Sequence, residues 1–501
     1  ARDMLDQFGV RLADQLSGTP GTEPIQRQLL SDTDRYYRQF IEQAAGDPKL
    51  RHELALAEFK RAVIAAKLGD PADAATMYRS ALTQLESLAA DKSSNALYAS
   101  QIALVHNNLA ILAAARRDFD EAQAHYEKAI EIQCRLAAAD PNDAATAAQL
   151  ADSQANLGML YDAQGDRLAA ERLLAEAVAG LRPLVVKAKA EPRHARNLSI
   201  AANNLSYVLA KRDPAAAERA SREAVVILER LAADEANGAK YQADLALCYN
   251  NLAALLSRNG RLSEAIEWHA RAATLQEQLV RRSPAVVRHR SDLAISLNNL
   301  GVAYCRAGRV DEADAPFGRA REMFATLSSD YPDQLAYATA LAAMLNNQAL
   351  ALAGAGQHPR AAGLYEEAVK AQRECWQQSG GSKMMQELLS RMIYNQGQSL
   401  SALGRWDEAL ATAAQRRDVW QGDGERLFGV AVELAALAIA VADEDDLALQ
   451  ARINDETIAT LQAAAKAGQL SDAKLWDDER FRHLHGDQRF RELLGMTDSA
   501  S

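Results

Sequence analysis

The chain has 501 residues, with 56 Lys and Arg against 67 Asp and Glu, a net charge of −11. That balance argues against a general nucleic-acid binder and leaves room only for a local basic groove. Hydrophobic residues make up 49% but aromatics only 6%, which fits alanine-filled helix seams and not a β or α/β fold.

Residues 1–48 read as N-terminal capping helices. An amphipathic helix over 1–23 ends at Ser17-Gly18-Thr19-Pro20-Gly21. A second, over 24–46, carries Leu29, Leu30, Tyr36, Tyr37, Phe40 and Ile41 on its apolar side and closes at Gly46-Asp47-Pro48. The opening residues place charges where a secretory leader needs an apolar run. The chain also starts without Met, which points to a processed chain or a fragment of something longer.

From 49 to 420 one phrase keeps returning: Asn-Asn-Leu and then a small residue. Its second asparagine falls at Asn108, Asn156, Asn204, Asn251, Asn299, Asn347 and Asn395, at intervals of 48, 48, 47, 48, 48 and 48 residues. A fixed period of that size means a solenoid. The stretch NNLAALLSRNGRLSEAIEWHARAATLQEQLVRRSP, from Asn250, has apolar residues three and four apart on either side of Asn259-Gly260. That pattern is two amphipathic helices joined by a tight turn.

Glycine follows the marker by nine residues in most copies, as Gly165, Gly260, Gly308, Gly356 and Gly404, with Gly69 in the first copy. A left-handed turn residue costs glycine least. Alanine recurs five residues later, as at Ala122, Ala265 and Ala313, and usually again after seven more. The position two after the marker is small throughout (Ala110, Gly158, Ser206, Ala253, Gly301, Ala349, Gly397), so the helices of a pair can approach closely. The first of the eight copies has Lys60 in place of asparagine, and a residue is missing around Asp213-Pro214-Ala215. The eighth has Tyr394 for its first asparagine and Arg416 for its second alanine.

Residues 421–501 read as C-terminal helices and a cap. Helices are expected over 425–442 and 447–467 around the charged break at Asp443-Glu444-Asp445-Asp446. In the tail, Leu475, Trp476, Phe481, Leu484, Phe490, Leu493 and Leu494 are placed to fold over the last repeat, as such arrays require. The most apolar run, Leu427 to Ala442, contains Glu433 and falls short of the ~20 residues that span a bilayer, so no span is expected in this chain.

Two recurring features carry the binding expectation. The pairs Asn203/Asn204, Asn250/Asn251, Asn298/Asn299 and Asn346/Asn347 form a ladder across four copies, and an amide both donates and accepts. The competing use of such an amide is a bond to backbone between neighbouring repeats. Seven residues after three of the markers stand Lys211, Arg258 and Arg306. Seven residues are nearly two helical turns, which puts each cation on its asparagine's face. Such cations suit an anionic segment or a free carboxylate, and equally suit the negative end of a helix dipole.

Elsewhere the residues point away from chemistry. Cys134, Cys248, Cys305 and Cys375 stand alone, without Cys-x-x-Cys spacing, and read as small buried hydrophobes. His483 and His485 are two apart and share no helix face, which disfavours a metal site. His106 and His125 sit in repeat helices. Arg193, His194 and Arg196, and Arg288, His289 and Arg290, are basic tufts that read as a solvated edge. No nucleophile recurs beside a base, so no catalytic residue, cofactor or metal is expected.

The order small residue, turn glycine, alanine, aromatic (Tyr78, Tyr126, Phe317, Tyr365), alanine resembles the tetratricopeptide repeat. His269, Leu174 and Ala413 depart from it at the aromatic. The usual repeat is 34 residues, and the longer copies here look like kinesin light chain repeats. The resemblance implies an all-α superhelical solenoid of long antiparallel helix pairs with capping helices at both ends. It also implies that the first helices line the concave surface and that the second asparagine meets a bound peptide's backbone. The flanks, PGTEPIQRQLLSDTDRYYRQFIEQAAGDPKLR and DDERFRHLHGDQRFRELL, look like those of the repeat region carried by bacterial, especially planctomycete, serine/threonine kinases. No glycine-rich phosphate loop, His-Arg-Asp or Asp-Phe-Gly is present, so no kinase domain lies in this chain.

The function expected is a scaffold that binds an extended, acidic peptide or partner segment in its groove. The alternative is the sensor or docking region of a bacterial serine/threonine kinase. A membrane helix upstream would make the region extracytoplasmic, and without one it would be cytoplasmic.

Overall fold

The computed structural model describes residues 23–91, 96–186, 191–234, 238–442, 446–468 and 475–496. The helix expected over 1–23 and the acidic residues 443–445 lie outside them. Among the described residues the structure is helical, with no strand.

Helix α1 (Glu23–Ala44) precedes eight pairs. These are α2 (Arg51–Leu68) with α3 (Pro71–Asp91), α4 (Ala96–Ala115) with α5 (Phe119–Ala139), and α6 (Ala144–Gln164) with α7 (Arg167–Val186). Then come α8 (Pro192–Leu209) with α9 (Pro214–Ala232), α10 (Gln242–Arg258) with α11 (Leu262–Arg282), and α12 (Val287–Arg306) with α13 (Val310–Asp330). The last two are α14 (Leu335–Gly354) with α15 (His358–Gln378) and α16 (Lys383–Ala402) with α17 (Trp406–Val419). Helices α18 (Gly424–Val441) and α19 (Leu447–Lys466), a 3₁₀ turn (Glu479–Leu484) and α20 (Gln488–Leu493) follow. The fold is the expected repeat solenoid. Its contacts divide it into two compact units, Ala1–Ser296 and Leu297–Ser501.

The turns explain the glycine register. Gly69, Gly165, Gly260, Gly308, Gly356 and Gly404 all have φ between 68° and 91°, where a Cβ would crowd the backbone. The second copy keeps the geometry without the glycine: Arg117 sits there at φ 63°. The second helices of the first four pairs then start on capping aspartates, with Asp118 accepting from the Glu121 N–H and Asp213 from the Ala216 N–H, whereas those of the later four start after Arg261, Arg309, Gln357 and Arg405 without a side-chain cap.

In unit 1 the first helices of successive pairs pack side by side, α4 on α6, α6 on α8 and α8 on α10. Their seams are alanine and leucine: Ala103, Ala151, Ala201, Ala202, Ala246 and Leu252 are buried. In unit 2 the reason for a small residue after the marker is direct. A Cβ on Gly301 would lie 2.4 Å from the Phe317 ring.

Two expectations change. Helix α4, and not the Leu427–Ala442 run, is long and apolar enough to cross a membrane by length and composition among the described residues. Within unit 1, Ile102, Val105, Leu109 and Ala113 of α4 are buried in its packing. Cys134 is exposed, while Cys248, Cys305 and Cys375 are buried. The Arg416 anomaly has a local cause: its guanidinium pairs with the buried Glu433, donates to Ser390 Oγ at 2.9 Å and lies over the Tyr394 ring. Leu475, Phe481, Leu484 and Phe490 of the tail pack on Ala431, Ala435, Ile458 and Leu461.

Candidate functional site

Consecutive helical residues point about 100° apart, so the two asparagines of a phrase face different surroundings. Asn203, Asn250, Asn298 and Asn346 are buried, whereas Asn251 and Asn347 are exposed and Asn204 and Asn299 half-exposed. The second asparagine does not lie idle. Asn251 Nδ2 donates to Asn203 Oδ1 at 3.1 Å, Asn395 Nδ2 to Asn346 Oδ1 at 3.0 Å, and Asn156 Nδ2 to Asn107 Oδ1 at 3.5 Å. Each is a rung from the marker of one repeat to the first asparagine of the repeat before. The between-repeat role is therefore present, with a side-chain acceptor in place of the expected backbone. Asn204 has no such acceptor, because Ala155 stands where the preceding copy would carry it.

Asn250 is held from both ends. His269 Nδ1 lies 2.8 Å from Asn250 Oδ1, and Asn250 Nδ2 donates to Ser296 Oγ at 2.8 Å. Ser296 Oγ in turn donates to the Asp292 backbone carbonyl at 3.0 Å. A carbonyl oxygen only accepts, so the imidazole is the Nδ1–H tautomer. The departure of His269 from the aromatic consensus thus serves the neighbouring asparagine.

One rung is open. In unit 2, Asn298 Oδ1 is buried without a hydrogen-bond partner among the described residues. There a cleft of ≈ 450 Å³ lies between α12 and α14, lined among others by Asn298, Asn299, Val302, Arg306, Asn347 and Leu350. Four of the expected site residues meet in it.

The cations are only partly where the spacing put them. Arg258 and Arg306 are the exposed last residues of α10 and α12. Lys211 is exposed but lies beyond the end of α8 at Leu209, so it shares no helical face with Asn204. The missing residue in that copy shortens the helix and leaves the lysine in the turn. Among the described residues, Lys211 and Arg258 have no ion-pair partner. The opposite ends of these helices are internally matched: Arg196 pairs with Asp244 at 2.6 Å, and Asn197 Nδ2 donates to both Asp152 oxygens at 2.8 and 2.9 Å.

Burial holds the Asp152 carboxyl up near 6, against a smaller downward pull from Asn197 and Arg193. His106 and His125 face each other with their Nδ1 atoms 2.8 Å apart. Burial, helped by His125 and Lys128, lowers His106 to about 4. In the tufts, His194 is buried, Arg193 pairs with Glu191 and Arg288 with Asp292. His485 stacks on Trp476 at 3.9 Å within the C-terminal cap. Sequence reasoning missed the aliphatic residues exposed beside the asparagines. Their signal was Ile200, Leu247 and Ile295, each four residues before a marker.

A family profile described as tetratricopeptide repeat matches residues 244–326, and a second of the same description matches 106–143 and 150–182. No curated protein matches the chain. Among solved structures, BtubC (BKLC) from P. vanneervenii is 21% identical with a TM-score of 0.40, over 51% of this chain and 91% of that one. The apo quorum sensor NprR from B. thuringiensis is 12% identical, TM-score 0.48, over 83% of this chain and 97% of that one. A Rap protein complexed with competence and sporulation factor is 13% identical, TM-score 0.45, over 85% and 97%.

Proposed function

Because the chain carries tetratricopeptide repeats in residues 106–143, 150–182 and 244–326, we propose that it is a protein-interaction scaffold whose first-helix faces receive an acidic segment of a partner polypeptide. The observation that carries this reading is local charge in an acidic protein. Exposed Arg258 ends α10 and exposed Lys211 stands in the turn after α8, both in unit 1, and Arg306 lies in the cleft of unit 2 with Asn299 and Asn347.

An amide beside a guanidinium suits a carboxylate next to a peptide group. In unit 2 the open rung leaves Asn347 for that work, and Val302 and Leu350 offer an apolar wall. An extended acidic peptide fits this cleft. A sensor or docking region of a serine/threonine kinase would use the same faces, and the sequence upstream in the gene tests that version.

The direct test is a peptide array of overlapping 12-residue segments, acidic and neutral, probed with wild type, Lys211→Glu/Arg258→Glu and Arg306→Glu. Binding of acidic segments that falls at least tenfold with either change supports the reading. Acidic segments bound equally by all three proteins would remove it.

A further inference from the structure

Within unit 1, the residue four before each marker is an exposed aliphatic in three successive first helices: Ile200 at 37%, Leu247 at 54% and Ile295 at 46% exposure. Tyr207, one turn beyond Asn204, is 59% exposed. A row of large apolar side chains at one register position is more than the scattered exposure ordinary on a surface.

The amides beneath this row are already committed. Asn203 Oδ1 receives Asn251, Asn250 Oδ1 faces His269, and Asn250 Nδ2 donates to Ser296. An extended chain brings one donor and one acceptor per residue, and of the asparagine amides described on this floor the outer atoms of Asn204 and Asn251 are what remains to meet them. A helix satisfies its own backbone and asks only for side-chain contacts.

Charge gives the orientation. Asp244 and Asp152 are matched by Arg196 and Asn197 at one edge, whereas Lys211 and Arg258 at the other have no ion-pair partner among the described residues. On α10, Leu247 and Arg258 are separated by about 16 Å along the helix, while a helix with its side chains is about 10–12 Å across. A helix lying across α8 and α10 on the apolar row therefore falls about 4–6 Å short of the cation row, a gap that the long, flexible Lys211 and Arg258 side chains close by leaning toward it.

We infer that the first-helix face of unit 1 docks an amphipathic α-helix of a partner protein. Its apolar stripe rests on Ile200, Leu247, Ile295 and Tyr207, and its acidic flank is turned toward Lys211 and Arg258. This rests on the scaffold reading above and specifies the partner's conformation on this face, in contrast to the extended segment suited to unit 2.

The test is selection of a phage-displayed random 16-residue library on the immobilised full chain, followed by anisotropy with the enriched peptides. The expected result is enrichment of Leu, Ile, Met or Phe at i, i+3 or i+4, and i+7, with Asp or Glu along one flank. Affinity should fall at least tenfold with Leu247→Glu, with Lys211→Glu/Arg258→Glu, and with two prolines placed in the peptide. Leu247 is exposed, so its variant should keep the wild-type circular dichroism. Acidic peptides that tolerate the prolines would overturn the helix and leave the scaffold reading standing. Helical peptides indifferent to the charge reversal would overturn the acidic flank. No enrichment, or binding indifferent to Leu247→Glu, would overturn the docking face itself.

Discussion

Asn251 Nδ2 donates to Asn203 Oδ1 at 3.1 Å, a bond between residues one repeat apart that ties α10 to α8. Each partner removed singly should strand the other in a partly buried site. A double-mutant cycle of Asn203→Ala and Asn251→Ala should return a coupling of about 0.5–1.5 kcal/mol in urea unfolding. Additive losses would mean that the rung contributes nothing.

The open rung in unit 2 predicts the opposite response at an equivalent position. Asn298 Oδ1 is buried and unpartnered, whereas Asn346 Oδ1 receives Asn395. Asn298→Ala should be neutral or stabilising, while Asn346→Ala should cost about 1–3 kcal/mol. Comparing the urea midpoints of the two variants checks this.

His269→Phe would restore the aromatic of the repeat consensus and yet should destabilise. The phenyl ring cannot donate to Asn250 Oδ1, which would be left buried and unsatisfied at a cost of about 1–3 kcal/mol. His269→Phe combined with Asn250→Ala should recover much of the loss, measured by thermal unfolding.

The facing histidines give unit 1 a pH dependence of known sign. Burial holds the folded pKa of His106 near 4 and lowers that of His125, against an unfolded value of about 6.5. The folded state then binds fewer protons, so stability is complete above pH ~6.5 and falls as the pH drops toward ~4. Asp152, raised to about 6 by burial, acts in the opposite direction over the same interval. His106→Gln should therefore flatten or invert the acid-side slope of the melting temperature between pH 6.5 and 4.

Arg117 occupies a left-handed turn, φ 63°, where most other copies have glycine. Arg117→Gly should stabilise by about 1 kcal/mol, because the strain removed exceeds the added chain entropy. Its lost contact with the Phe119 ring, 5.9 Å away, sets a small deduction. Chemical denaturation of the variant measures the balance.

The repeat itself was legible because its determinants are local. Turn glycines such as Gly260, the small residue at Gly301 and the alanines at Ala265 and Ala272 each answer to contacts within one helix pair. The rungs were not, because Asn251 meets Asn203 only after two repeats stack. Nothing in the spelling of the Asn-Asn phrase says which amide faces inward. His269 departs from the consensus aromatic because it faces Asn250, a contact that spacing along the chain does not show. Spacing misplaces Lys211 for a local reason: the repeat that is one residue short also ends α8 at Leu209. The exposed row Ile200, Leu247 and Ile295 was readable in principle, but aliphatics in an amphipathic helix are assigned to the core unless the core's width is known.

The unmade bond at Asn298 also bears on how unit 2 responds to load. In a stack held only by nearest neighbours, compliance is set by the weakest seam. With the Asn346–Asn395 tie in place and the one before it open, bending would concentrate between α12 and α14. A molecule wedged in the cleft there would stiffen the same joint.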